Sequence, residues 1–155
     1  MRFVDTNILL YAVSTAADEE RKARIAVELL ESADLALSVQ VLQEFYVQAT
    51  RPKKSARLTH EQATLLIESF LRFPAQETTV SLVRASLDAR IRYRLSYWDS
   101  AIIEAARALG CDTILSEDLS DGAEYGGIRV ENPFAERCNQ SLGRCVWPGR
   151  LNGDH

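Results

Sequence analysis

The chain has 155 residues, 46% hydrophobic and 26% charged, which is the ordinary balance of one soluble domain with a real core. A formal charge of −4 argues against the basic exterior of a tight nucleic-acid-binding module, although acids gathered at a metal site would mask a weakly basic surface, so RNA is not excluded as a partner. The three cysteines are an odd number, and Cys111 in its apolar context reads as a small core residue of a protein kept in a reducing cytoplasm.

The chain opens MRFVDTNILLYAV, an apolar stretch that is short, is broken by Asp5, Thr6 and Asn7, and has no preceding basic region. Neither a secretion signal nor a membrane span is expected. Arg2 to Asp5 reads as a buried strand with Asp5 at its carboxyl end. Asp18, Glu19 and Glu20 open a helix that continues to about Ala33, with Ala23, Ala26, Val27 and Leu30 as its buried stripe. Leu35 to Ser38 is a second strand. Val39 to Ala49 then changes to helical spacing, with Val41, Leu42, Phe45 and Val47 around Glu44.

Pro52 and the cations Arg51, Lys53 and Lys54 end that helix in a basic loop. Thr59 and Gln62 form a capping box for a helix to about Phe73, which Pro74 stops. Gln76 to Thr79 reads as a short strand, and Ser81 as the cap of a helix through Tyr93. Another helix runs from Ser96 or Tyr97 to Leu109, ended by Gly110, with Asp99 in its first turn. Asp112 to Leu115 and Ile128 to Val130 are the last strands. Strands and helices alternate, which implies an α/β domain with a mostly parallel sheet covered on both faces and a site outside the carboxyl ends of its strands.

Four acids stand where such elements deliver them to one sheet edge: Asp5, Glu44, Asp99 and Asp118. Carboxylates brought together repel and need protons or a cation to coexist, so their convergence points to a hard-metal site and metal-assisted phosphodiester chemistry. Each has a plainer reading: a helix cap for Asp5, a solvated helix position for Glu44. Asp99 sits at the positive end of a helix dipole. Asp118, in the run Ser116, Glu117, Asp118 after a strand, competes with Glu117 and Asp121. Arg51, Lys53, Lys54 and Arg57 form one candidate RNA-contacting patch, and Arg90, Arg92 and Arg94 another; both are equally readable as solvated faces. Tyr46, Tyr93, Tyr97 and Trp98 are possible base-stacking groups or core.

The strand-end DTN, the helical Glu44, YWDSA at a helix start and SED after a late strand resemble the PIN-domain ribonucleases, especially the VapC-type toxins of prokaryotic toxin-antitoxin pairs, from about Met1 to Phe134. The resemblance implies a three-layer α/β/α fold in which Asp5, Glu44 and Asp99 match the three principal acids and Asp118 the more variable fourth. It implies that Asn7 and Ser116 support the site, that Mg²⁺ or Mn²⁺ is the cofactor, and that the chain is a homodimeric endoribonuclease held silent by a cognate antitoxin. Gln40 departs from the pattern, standing where many relatives have a small hydroxyl residue, with consequences expected only for local substrate contacts.

Two other readings share some of these features. A magnesium-dependent phosphatase also begins with a strand-end aspartate but needs a second two positions on, where this chain has Asn7. A non-catalytic RNA-binding scaffold would have no reason to keep all four acids. Residues 135 to 155 read as a carboxy-terminal tail, in which Cys138, Cys145 and His155 are spaced too widely for the usual zinc knuckle.

Overall fold

The computed structural model describes residues 1–52 and 56–136, so Lys53, Lys54 and the tail residues Cys138, Cys145 and His155 lie outside it. Six strands form one sheet: β1 (Arg2–Val4), β2 (Leu35–Ser38), β3 (Ala75–Gln76), β4 (Thr113–Leu115), β5 (Glu124–Tyr125) and β6 (Ile128–Glu131). Their order is β3-β2-β1-β4-β6-β5, and every neighbouring pair is parallel except β5 with β6. The helices are α1 (Thr6–Ala12), α2 (Glu20–Leu30), α3 (Val39–Ala49), α4 (His60–Phe70), α5 (Val80–Tyr93) and α6 (Tyr97–Ala108).

Strand order and the right-handedness of parallel crossovers fix the layers. The steps from β1 to β2 and from β2 to β3 go the same way along the sheet, so α1 to α4 lie on one face. The step from β3 to β4 returns across β2 and β1, which puts α5 and α6 on the other. Packing agrees: α1 meets α2 and α3, α3 meets α4, and α5 pairs with α6, which rests on β2, β3, β4 and β6. The expected three-layer fold is therefore present. Phe3, Ile8, Leu9, Leu35, Leu37 and Phe45 are fully buried in its core, and Cys111 is buried as expected.

Several boundaries differ from the sequence reading for local reasons. Helix α5 is capped by Thr79, whose side chain accepts the Leu82 N–H at 3.1 Å, so Ser81 already lies inside the helix. Strand β3 covers Ala75–Gln76 rather than Gln76 to Thr79, because pairing with β2 begins at the Pro74 carbonyl, which accepts from Leu37 N–H at 3.0 Å. Asp18 and Glu19 belong to a separate 3₁₀ turn, Ala17–Glu19, ahead of α2. Helices α2 and α4 end at Leu30 and Phe70, short of Ala33 and Phe73. The capping box of Thr59 and Gln62 forms as read.

The β5–β6 hairpin was not anticipated, since β5 has only two residues. It turns at Gly126 and Gly127, both at positive φ (57° and 87°), the backbone that a tight two-residue hairpin loop requires. Arg107 fastens it to α6 by donating to the carbonyls of Gly126 (2.7 Å) and Tyr125 (2.9 Å). A Cβ on Gly126 would stand 2.7 Å from the Tyr93 hydroxyl. Gly126→Ala is expected to lower stability by about 1–3 kcal/mol through left-handed strain and this clash, measurable as a reduced urea midpoint with an unchanged m-value.

Candidate active site

The sheet reverses its winding between β1 and β4, and at such a point the strand ends leave a crevice at their carboxyl edge. The Asp5 N–H donates to the Leu115 carbonyl at 3.0 Å, and the Ser116 N–H to the Glu131 carbonyl at 3.1 Å, so the residues just past β1 and β4 stand side by side there. Asp5 is 8% exposed. It caps α1 by accepting the Thr6 N–H at 2.7 Å and accepts the Ser116 hydroxyl at 2.7 Å. Capping and a role in the site are therefore compatible.

Asn7 ties the two strand ends together. Its Nδ2 donates to Asp118 Oδ2 at 3.2 Å and reaches Asp5 and Ser116 at 3.5 Å, while its Oδ1 accepts the Glu117 N–H at 3.3 Å. Ser116 Oγ also accepts the N–H groups of Asp118 and Leu119, each at 3.2 Å. Glu44 reaches the crevice because α3 packs on α1: Thr6 Oγ1 donates to one carboxylate oxygen and Gln40 Nε2 to the other, both at 2.9 Å. The departure at Gln40 thus acts on Glu44 itself and not only on local substrate contacts.

Asp5, Glu44 and Asp118 line one cavity of about 320 Å³, together with Tyr11, Glu19 and Gln48 among others, and no basic residue among the described residues lines it. A wider groove of about 520 Å³ runs along α2 and contains none of the predicted acids. Burial pushes the Asp5 carboxyl up; hydrogen bonds from Ser116 and Thr6 work against it, and the charges of Asp118 and Glu44 add to the rise, to about 6. Glu117 is a different kind of acid. Burial works to raise its pKa, and the Lys22 ammonium and Tyr11 hydroxyl beside it bring it below the ordinary carboxylate value. Its partner is Lys22 at 2.5 Å, and Asp121 accepts the Asn132 N–H at 2.8 Å. Of the three competing acids, Asp118 is the one that faces the cavity.

Asp99 does not line this cavity. Its N–H is capped by Ser96 Oγ at 3.1 Å, and its half-buried carboxylate makes no hydrogen bond or ion pair among the described residues. Because α6 leads into the parallel strand β4, its first turn lies at the carboxyl edge of the sheet, the same edge as Asp5. Glu19 and Gln48 escaped the sequence reading. Glu19 looked like a helix-dipole acid, but the 3₁₀ turn and a hydrogen bond from Ser14 Oγ redirect it toward the cavity.

A strand-end aspartate, a helical glutamate from the next unit and a third acid after β4 meet at one switch point. The family model of the PIN domain matches residues 2–120, most of the chain. The chain belongs to the PIN-domain family. Among solved structures, a toxin-antitoxin complex from Klebsiella pneumoniae is similar at 21% identity and TM-score 0.65, covering 86% of this chain and 98% of its own. The sarcin-ricin-loop-cleaving toxin VapC20 of Mycobacterium tuberculosis is similar at 19% identity and TM-score 0.60, over 76% of this chain and 92% of its own. VapBC2 of Rickettsia felis, bound to a DNA fragment from its promoter, is similar at 20% identity and TM-score 0.58, over 84% and 97%. Comparison with curated proteins finds no match.

The donor set of this PIN domain suits a hard divalent cation: all-carboxylate oxygen, an Asp5 raised chiefly by burial and further by the charges of Asp118 and Glu44, and no basic residue in the wall among the described residues. As placed, no three His, Cys, Asp or Glu side chains among the described residues stand close enough to share an ion. Glu44 and Asp118 are held instead by Thr6, Gln40 and Asn7. Among the described residues, Arg51, Arg90, Arg92 and Arg94 do not line the cavity. Arg51, Arg57, Arg90, Arg92 and Arg94 are exposed. Of the aromatics, Tyr46 bonds His60, Tyr93 packs on Tyr125, and Tyr97 meets the edge of Trp98, which is 63% exposed. Among the described residues no helix is long and apolar enough to cross a membrane.

Proposed function

We propose that this PIN domain is a metal-dependent endoribonuclease, the toxin of a toxin-antitoxin pair, acting in the cytoplasm as a homodimer and silenced by its antitoxin. The observation that carries the reading is the acid cavity at the β1/β4 switch point, lined by Asp5, Glu44 and Asp118 with no cationic side chain in its wall among the described residues. PIN-family membership supports a nuclease, and the toxin-antitoxin complexes sharing the fold support the biological class.

Asp5, Glu44 and Asp118 would hold Mg²⁺ or Mn²⁺, with Asp99 as a further ligand from the first turn of α6. The chemistry such a cation would supply when bound is Lewis acidity toward a phosphodiester and a more acidic water at the site. Ser116 and Thr6 keep Asp5 aimed by hydrogen bonding its two oxygens. Asn7 fixes the separation between Asp5 and the Asp118 loop. Thr6 and Gln40 restrain Glu44 by hydrogen bonding its two oxygens. Arg90, Arg92 and Arg94, with Arg51 and the loop lysines Lys53 and Lys54, would meet the RNA backbone, a contribution expected to weaken with salt. The test is cleavage of end-labelled structured RNA by the isolated chain with Mg²⁺ or Mn²⁺. Activity is expected to vanish with EDTA and return on adding excess Mn²⁺; cleavage that persists in EDTA after dialysis contradicts the reading.

A further inference from the structure

Lys22 belongs to α2 and played no part in the predicted site. Its Nζ nevertheless donates to Glu117 Oε1 at 2.5 Å and to the Tyr11 hydroxyl at 3.2 Å. It also lies over the rings of Tyr11 and Phe134, 4.8 and 5.8 Å from their centroids. Those rings meet edge to face at 5.0 Å. One ammonium therefore joins α1, α2, the loop after β4 and the turn after β6. The neighbouring Arg21 donates to the Phe134 carbonyl at 3.1 Å and fixes the same turn.

An isolated surface Lys–Glu pair contributes little, because two long side chains must be ordered for a screened attraction. Here the ammonium contacts three residues, Glu117, Tyr11 and Phe134, and the carboxylate has few other partners. Glu117 Oε2 is buried with no close hydrogen-bond partner among the described residues, so the carboxylate is anchored chiefly through Oε1 and Lys22, with the Tyr11 hydroxyl beside it. Without the ammonium, Glu117 would be a partly buried charge with no cation beside it, and the relief open to it is to swing its loop into water. That loop carries Asp118. Its N–H groups are held only by single hydrogen bonds, Glu117 to Asn7 and Asp118 and Leu119 to Ser116. Tyr11, the other partner of Lys22, lines the acid cavity itself.

We propose that Lys22 is a positioning residue of the acid cavity: it pins the Glu117–Leu119 loop against α1 and α2 so that Asp118 faces Asp5. The consequence for catalysis rests on the proposed nuclease function; the pinning itself does not. The test uses the full chain carrying Lys22→Met, Lys22→Arg or Glu117→Gln. In the metal-free protein, Lys22→Met is expected to speed amide hydrogen exchange at Glu117, Asp118 and Leu119 by about 10-fold or more while the β1 and β2 amides stay as in the parent. Lys22→Arg, which keeps the charge, should restore slow exchange, and Glu117→Gln should loosen the same three amides. Calorimetry with Mn²⁺ alone should show affinity weakened about 10- to 100-fold in Lys22→Met and near the parent value in Lys22→Arg. With RNA, kcat should fall and KM stay constant. Unchanged exchange at these amides in both Lys22→Met and Glu117→Gln overturns the proposal, as does acceleration spread over the whole chain, which would mark a purely structural lysine. A parent protein that neither binds Mn²⁺ nor cleaves RNA overturns the proposed function instead, and exchange still decides the role of Lys22.

Discussion

Asp5→Asn is expected to reduce RNA cleavage by about 100- to 1,000-fold or more while leaving the fold intact. The substitution keeps an oxygen to cap α1 through the Thr6 N–H and removes the one fully enclosed charge of the cavity. It should also stabilise the metal-free protein. Asp5 is raised from 3.8 to about 6, chiefly by burial, so its ionised form is disfavoured in the folded state by roughly 3 kcal/mol. Because the folded value is the higher one, this contribution to stability is fully present below about 3.8 and is lost as pH rises through 6. The parent should therefore lose stability between about pH 4 and pH 6 on this account, and Asp5→Asn should flatten that slope. At pH 7.5 without metal the variant should be the more stable by about 1–2 kcal/mol, after allowing for the Ser116 hydroxyl, which loses its carboxylate acceptor and faces the amide NH2 instead. Urea titrations at pH 4.5 and 7.5, each with and without Mn²⁺, measure all of this. Added Mn²⁺ should reverse the order at pH 7.5, since only the parent gains binding energy in the folded state.

Phe45→Ala should have the largest effect on stability, a loss of about 3–5 kcal/mol. Phe45 is fully buried and meets Phe70 of α4 edge to face at 5.2 Å, so the truncation leaves a void between two helices that cannot close without moving one of them. It is also the residue after Glu44. Anchored on one side by Phe45 and on the other by Thr6 and Gln40, Glu44 has little freedom, and loosening α3 should raise the Mn²⁺ concentration needed for half-maximal activity. Denaturation by urea gives the first quantity and a metal titration of cleavage the second.

The long amphipathic segments were legible in the sequence because burial imposes a period on them. The Thr59 box and the apolar run of α6 form elements where they were read, and in α2 Ala26 and Leu30 are buried as read while Val27, assigned to the same stripe, is exposed. Short elements carried too little pattern. Strand β5 has two residues and is defined by its glycine turn, and α1 was read only as the helix that Asp5 would cap, with no bounds, because its apolar run is short. Placement of Asp5, Asn7, Ser116 and Asp118 around one crevice followed from strand ends alone. What could not be read was side-chain direction. Asp118 and Glu117 are adjacent in sequence, and only the pairing of Glu117 with Lys22, ninety-five positions earlier, separates their roles. Glu19 was equally invisible, since its turn toward the cavity depends on a 3₁₀ turn that no apolar period announces.

The two flanks of the sheet, β3 and β5, are each two residues long among the described residues. An unpaired strand margin is the usual template for adding a foreign strand, and here it offers room for scarcely one pair of hydrogen bonds on either side. A protein partner of this domain is thereby steered away from extending the sheet. It has to be recognised through side chains on the helical layers, which makes the choice of partner a matter of residues that can drift and re-match without disturbing the strands that carry the acids.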